Sequence, residues 1–162
     1  MGAAARLAEL GLELPQVALP VAAYVPAVRT GAYVHTSGQL PFVDGALVAT
    51  GKVGAEVSPD DAVGYARTAA LNALAAVAAV VEAEGGPSGA DALDRIARVV
   101  KVVGFVASDP AFTGQPAVIN GASLLLRDVL GDAGVHARSA VGVAVLPLDS
   151  PVEVEIVVEL TA

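Results

Sequence analysis

Arg138, Glu153 and Glu155 are the residues of this chain whose types and spacing could do chemistry. Arg138 stands at the entrance to an apolar run in AGVHARSAVGVAVLPLDSPVEVEIVVEL. Its guanidinium offers five donors in a planar fork that can take a carboxylate bidentately. Glu153 and Glu155 alternate with Val152, Val154 and Ile156, so a strand would put both carboxylates on one face. A carboxylate beside an apolar cleft can orient water or carry a proton. The same types also make a surface ion pair and an acidic sheet face, and both readings stay open here. Alternation groups Arg138 with Ala140, Gly142 and Ala144, small neighbours that leave room for a ligand or another subunit. A hairpin centred near Asp149 would set Gly142, not Arg138, opposite Glu155 or Ile156. Contact between Arg138 and Glu155 is therefore not guaranteed, although both could line a cleft built partly by another chain.

Ser37-Gly38-Gln39-Leu40-Pro41 is a tight polar turn whose backbone could hold an anion or a carbonyl, or serve only as a turn. Tyr24 offers an aromatic wall and a hydroxyl, or simple packing. Asn120 could orient a ligand or cap a backbone group. His35 and His136 make no metal signature and read as structural histidines. Ser139 near His136 lacks the acid and geometry of a triad. Gly51-Lys52-Val53-Gly54 lacks the spacing of a phosphate loop.

The elements that must position these groups can be read from periodicity and punctuation. Ala3–Leu10 reads as a helix stopped at Gly11, followed by a leader kept extended by Pro15 and Pro20. Tyr24–Val28 and Ala32–Ser37 read as strands, and Asp44-Gly45 as a turn before a short strand at Ala46–Ala49. A long helix begins at the Ser58 cap, with Pro59 first and Asp60 and Asp61 near its positive end, and runs through Val81. Ala66, Ala69, Ala70, Ala73 and Ala76 give it a low-relief packing face, with Arg67 toward solvent. Gly85–Ala90 reads as a flexible insertion. Ile96–Val106 is a β-rich central strand, Pro116–Leu130 a second helix ending at Gly131, and Ala140–Leu146 and Val152–Leu160 the last strands. Two helices on one face of a single sheet would bury this pattern, leaving the other face for neighbouring subunits.

Composition narrows the classes. The 162 residues fit one domain, with residues 1–20 as helix and leader and 21–162 as the body. Hydrophobic residues make up 55% and aromatic residues 4%, so the core must be Ala, Val and Leu. A formal charge of -8 and no basic patch argue against nucleic acid as a partner. The absence of cysteine excludes disulfides and thiol nucleophiles. No uninterrupted apolar run approaches a membrane span, and the first 20 residues lack a secretory core, so a cytoplasmic protein is expected.

These residues carry a resemblance. Tyr24, SGQLP at Ser37–Pro41, Asn120, the Ala137-Arg138-Ser139 to Leu146-Pro147 stretch and Val154-Glu155-Ile156 together resemble the RidA/YjgF/UK114 family over roughly Val21–Leu160. The resemblance implies an α/β, chorismate-mutase-like two-layer domain, with a mixed sheet and helices packed on one face. It further implies a homotrimer with clefts between subunits. In active relatives the residue matching Arg138 binds a substrate carboxylate and the one matching Glu155 arranges hydrolytic water. Those matching Tyr24 and Asn120 shape the pocket, and the Ser37-Gly38-Gln39 turn lies near it. The reaction implied is hydrolysis of 2-aminoacrylate-like enamines, through 2-iminopropanoate and 2-iminobutanoate, to 2-oxo acids and ammonia, without metal or organic cofactor. The other expectation is a noncatalytic, small-carboxylate-binding or regulatory trimer. This chain has Ala140 where many active relatives have cysteine, and its RLAELG leader, Gly85–Ala90 region and INGASLLL resemble a longer subgroup.

Overall fold

Among the described residues, the architecture is built on five strands of one mixed sheet, two long helices on a single face, and a two-stranded hairpin. The computed structural model describes residues 1–17 and 23–162; Pro20 and Val21 lie outside the described residues. Helix α1 spans Ala3–Glu9, strands β1 and β2 span Ala27–Thr30 and Tyr33–Thr36, and the hairpin strands β3 and β4 are Phe42–Val43 and Ala46–Leu47. Helix α2 is Pro59–Ala83, β5 is Ile96–Ala107, α3 is Gln115–Leu130, β6 is Ala137–Val143 and β7 is Val152–Leu160. Asp44 and Gly45 both take positive φ, 51° and 79°, the geometry that a tight hairpin turn demands. Tyr24 precedes β1 rather than belonging to it.

Helix α2 starts where its cap dictates: the Ser58 hydroxyl accepts from the Asp61 N–H at 3.1 Å. By length and composition this helix could cross a membrane, yet Ala62, Ala66, Ala69, Ala70, Ala73 and Ala76 are buried in the protein core. Its neighbour α3 comes unusually close. A Cβ on Gly121 would lie 2.0 Å from the Val63 carbonyl oxygen, so only glycine admits this approach. Arg67 lies on the outer side, 3.5 Å from Asp128 of α3. Helix α1 also joins the core through Ala3 and Leu7, and the Ala3 N–H donates to Asp94 at 2.7 Å. The Gly85–Ala90 region leads into a 3-10 helix over Gly89–Arg95, with Ala92 and Leu93 buried.

The sheet order is β1-β2-β7-β5-β6, which corrects one expectation. The last two strands do not form a hairpin: β5 lies between them, antiparallel to β7 and parallel to β6. The centre of the sheet is β7, and β6 is an edge. Local sequence suggested a hairpin because PLDSP is short, but a short connection does not oblige its strands to pair. β6 also begins earlier than expected, at Ala137, and ends at Val143, so Arg138 lies inside it and Ala144 beyond it. In β5, two register shifts, between Ile96 and Arg98 and between Val99 and Lys101, return Ile96, Val99 and Val102 to the buried face at a three-residue interval.

Candidate functional site

Register decides which way the charged groups face. Arg138 aligns with Val102, and Val102 with Ile156; both apolar partners are buried under the helices. Arg138 therefore projects on the helix side, at the edge of the sheet. Glu155 aligns with Val103, which aligns with Ser139, on the open face. Within one chain Arg138 and Glu155 point from opposite faces of the same sheet.

Arg138 leans over α3. Its Nη1 donates to Asn120 Oδ1 at 2.8 Å and to Ser123 Oγ at 3.2 Å, and its Nη2 donates to the Pro116 carbonyl at 3.2 Å. Asn120 and Ser123 are three residues apart and so share one helix face. Asn120 is not a backbone cap but a fixed acceptor for Arg138. Three of five guanidinium donors are thus engaged. Among the described residues, Nε–H and one Nη2–H stay open, and Nε with Nη2 forms an edge that a carboxylate can take bidentately. Behind Ser123 stands His136: its Nε2 is 2.9 Å from Ser123 Oγ and its Nδ1 is 2.6 Å from the Gly134 carbonyl. Burial, with the Arg138 charge as a smaller contribution, pushes His136 below the usual histidine range, although the Gly134 contact opposes this. Sequence reasoning set His136 aside as structural and missed Ser123. The available signal was the three-residue spacing of Asn120 and Ser123.

The second group of expected residues gathers beside β7. Gln39 and Val154 exchange backbone hydrogen bonds at 2.8 and 3.0 Å, while the Ile156 N–H is taken by the Thr36 hydroxyl at 3.0 Å. Between these ties Ser37 and Gly38 bulge outward, and the Ser37 hydroxyl donates to the Val25 carbonyl at 2.6 Å. Gly38 packs on Glu153: a Cβ there would stand 1.8 Å from Glu153 Oε1. Half-burial first, and then the charge of Glu155, raise the Glu153 carboxyl above the ordinary range. Among the described residues neither glutamate has a side-chain hydrogen-bond partner.

Tyr24, Gly38 and Gln39 line a cleft of about 800 Å³, together with Leu40, Phe42 and Leu148. Asn72 of α2 pins its wall by donating to the Leu40 and Phe42 carbonyls at 2.9 and 3.1 Å. Leu148 and Asp149 occupy the left-handed region consecutively, φ 56° and 58°, and Leu148 stays 67% exposed at the cleft. Such strain in two non-glycine residues costs on the order of 1–3 kcal/mol each. The connection was expected only as a loop, because a single sequence does not disclose positive φ at Leu and Asp.

His35 lies exposed on the open face, and the Ser139 hydroxyl accepts from Lys101 Nζ at 3.0 Å rather than from a histidine. Lys52 sits in a turn in which its N–H donates to Glu56 at 2.8 Å. Among the described residues no group of three or more His, Cys, Asp and Glu could hold a metal ion. The expected site residues thus fall into two sets. Arg138 and Asn120 sit at the β6 edge; Tyr24, Ser37, Gly38 and Gln39 lie beyond β7, three strand spacings or about 14 Å away. Glu155 stands between them on the open face.

Comparison with known proteins gives the family and the fold. Residues 4–160 match the family model described as "YjgF/chorismate_mutase-like, putative endoribonuclease". Protein TCP17 of Trypanosoma cruzi is 43% identical over 158 residues, covering 97% of this chain and 93% of that protein. The crystal structure of Atu1372 from Agrobacterium tumefaciens, described as of unknown function, is 43% identical with a TM-score of 0.83, covering 99% of this chain and 94% of that one. A Shewanella oneidensis protein solved as a "putative endoribonuclease" is 32% identical with a TM-score of 0.89, covering 99% and 100%. With the family matched along nearly its whole length and the helices on one face of a mixed sheet, this chain belongs to the RidA/YjgF/UK114 family and has its chorismate-mutase-like α/β fold.

Proposed function

We propose that this chain hydrolyses carboxylate-bearing enamine/imine intermediates, of the 2-iminopropanoate and 2-iminobutanoate type, to 2-oxo acids and ammonia. The observation that carries this reading is the Arg138 guanidinium, held by three hydrogen bonds with its Nε–Nη2 edge open. That edge would take the substrate carboxylate and leave the adjacent imine carbon facing the cleft. The oxygen of a water molecule adds to that carbon while the C=N electron pair moves to nitrogen, which takes up a proton. The resulting carbinolamine collapses: the C–N bond breaks, ammonia departs, and the hydroxyl proton leaves as the carbonyl forms. Glu155 relays the proton from water to nitrogen. The exchange of C=N for C=O is redox-neutral, and much of the acceleration comes from holding the imine beside an ordered water.

Because Arg138 and Glu155 face opposite ways in one chain, the reading requires two copies. The Arg138 half of one copy meets the Glu155, Tyr24 and Ser37–Gln39 half of the next, and closure of three such contacts makes a homotrimer. The open sheet face, with Tyr33, Val103, Phe105 and Val141 among its side chains, supplies apolar surface for that assembly.

The test is conversion of 2-aminoacrylate, generated in situ, to pyruvate. The wild-type protein should accelerate it, and Arg138→Ala should abolish the acceleration. Wild-type protein that is folded and assembled but inert would sink the reaction. One observation favours a second reading: the Arg138–Asn120–Ser123 cluster is complete within one protomer, whereas Glu155 is not part of it. A regulatory trimer that binds small carboxylates would bind 2-oxobutanoate through Arg138 without turnover. RNA is a useful control substrate, although a chain of formal charge -8 offers little to a phosphate backbone.

A further inference from the structure

With a neutral imidazole, the hydrogen bonds behind Arg138 have one consistent polarity. A carbonyl oxygen accepts and cannot donate, so the 2.6 Å contact with Gly134 O puts the proton on His136 Nδ1. Burial favours the neutral ring, and in that form Nε2 is a bare acceptor. Ser123, 2.9 Å away, must then donate its hydroxyl hydrogen to Nε2. That choice turns the Ser123 lone pairs toward Arg138 Nη1, which donates to them at 3.2 Å. The chain of donors runs Arg138 to Ser123 to His136 to the Gly134 carbonyl, each group filling the role the previous one leaves.

We propose that Ser123 and His136 are positioning residues that lock the Arg138 guanidinium with its Nε–Nη2 edge toward the substrate carboxylate. Asn120 alone would hold one Nη1 hydrogen and leave the plane free to swing about it. Ser123 holds the second, and Pro116 O fixes the plane from Nη2. Orientation set before binding need not be supplied by the ligand, so this arrangement acts on substrate affinity. His136 touches neither Arg138 nor the open edge by hydrogen bond; it acts through Ser123. The inference rests on Arg138 as the carboxylate anchor of the proposed reaction.

The test is steady-state kinetics on the full chain with 2-aminoacrylate generated in situ, with Arg138→Ala alongside. Ser123→Ala and His136→Ala should each raise KM about three- to ten-fold, the range for loss of one hydrogen bond, with kcat changed less than about two-fold. In the Ser123→Ala background, His136→Ala should add nothing, because its route to Arg138 is already cut. His136→Gln, which supplies an acceptor toward Ser123 and a donor toward Gly134 O, should restore KM to within about two-fold of wild type. General damage to the fold would instead add in the double variant and would not be rescued by glutamine. Unchanged KM in both single variants, while Arg138→Ala abolishes turnover, would overturn the positioning role and leave the anchor standing. If Arg138→Ala kept full activity, the anchor would fall, and the role would be decided by the Arg138 side-chain resonances in nitrogen-15 NMR. Resolved Nη signals lost in Ser123→Ala and His136→Ala but kept in His136→Gln support the lock; signals indifferent to all three overturn it.

Discussion

Glu153 and Glu155 share one face of β7, but their surroundings differ in a way that shows in titration. Glu153 is half-buried against Gly38, and its carboxyl is raised above the ordinary carboxylate range, first by desolvation and then by the charge of Glu155. A carboxyl raised by folding adds stability below the unfolded value, and that contribution is lost as pH rises through the folded value. Above the folded value that contribution is gone, and the carboxylate held beside Gly38 and Glu155 costs stability. Glu153→Gln should raise the thermal midpoint at pH 7, with the gain shrinking as pH falls toward 4. A gain of equal size at both pH values would show that packing, not ionisation, is responsible. Arg138 was legible at this scale because its neighbours carry the family pattern. Ser123 and His136 were not, because their partnership depends on α3 lying over β6.

At the scale of elements, the helix pair is set by one glycine. Gly121 lets α3 approach the α2 backbone at Val63, and the same helix carries Asn120 and Ser123 to Arg138. Alanine would gain about 1 kcal/mol in helix propensity. It would also drive a methyl to 2.0 Å from a carbonyl oxygen that cannot swing aside, which belongs at the top of the roughly 1–3 kcal/mol range for overpacking. The clash wins. Gly121→Ala should lower Tm by several degrees and raise KM, as the helix separation draws Asn120 and Ser123 away from Arg138. Helix bounds were legible from Ser58, Pro59 and Gly131 because caps and stops are local chemistry. The two register shifts in β5 were not, since they answer to the strand opposite.

For the whole molecule, the opposed facing of Arg138 and Glu155 makes a definite prediction. Arg138→Ala and Glu155→Gln should each be inactive alone. Mixed by co-refolding in equal amounts, they should regain about a quarter of wild-type activity, the statistical share of clefts that receive both intact halves from different copies. No recovery in verified mixed assemblies would mean that each site is built from one chain.

Sequence by itself determined the family, the helices and the identity of the charged groups, because capping, periodicity and a linear motif are all written along the chain. Strand order and sidedness came only with the tertiary structure. The insertion of β5 between β6 and β7 is a long-range choice, and it is this pairing that turns Arg138 toward the helices and Glu155 toward the open face. A one-residue change of register would reverse either direction without altering a letter of the motif.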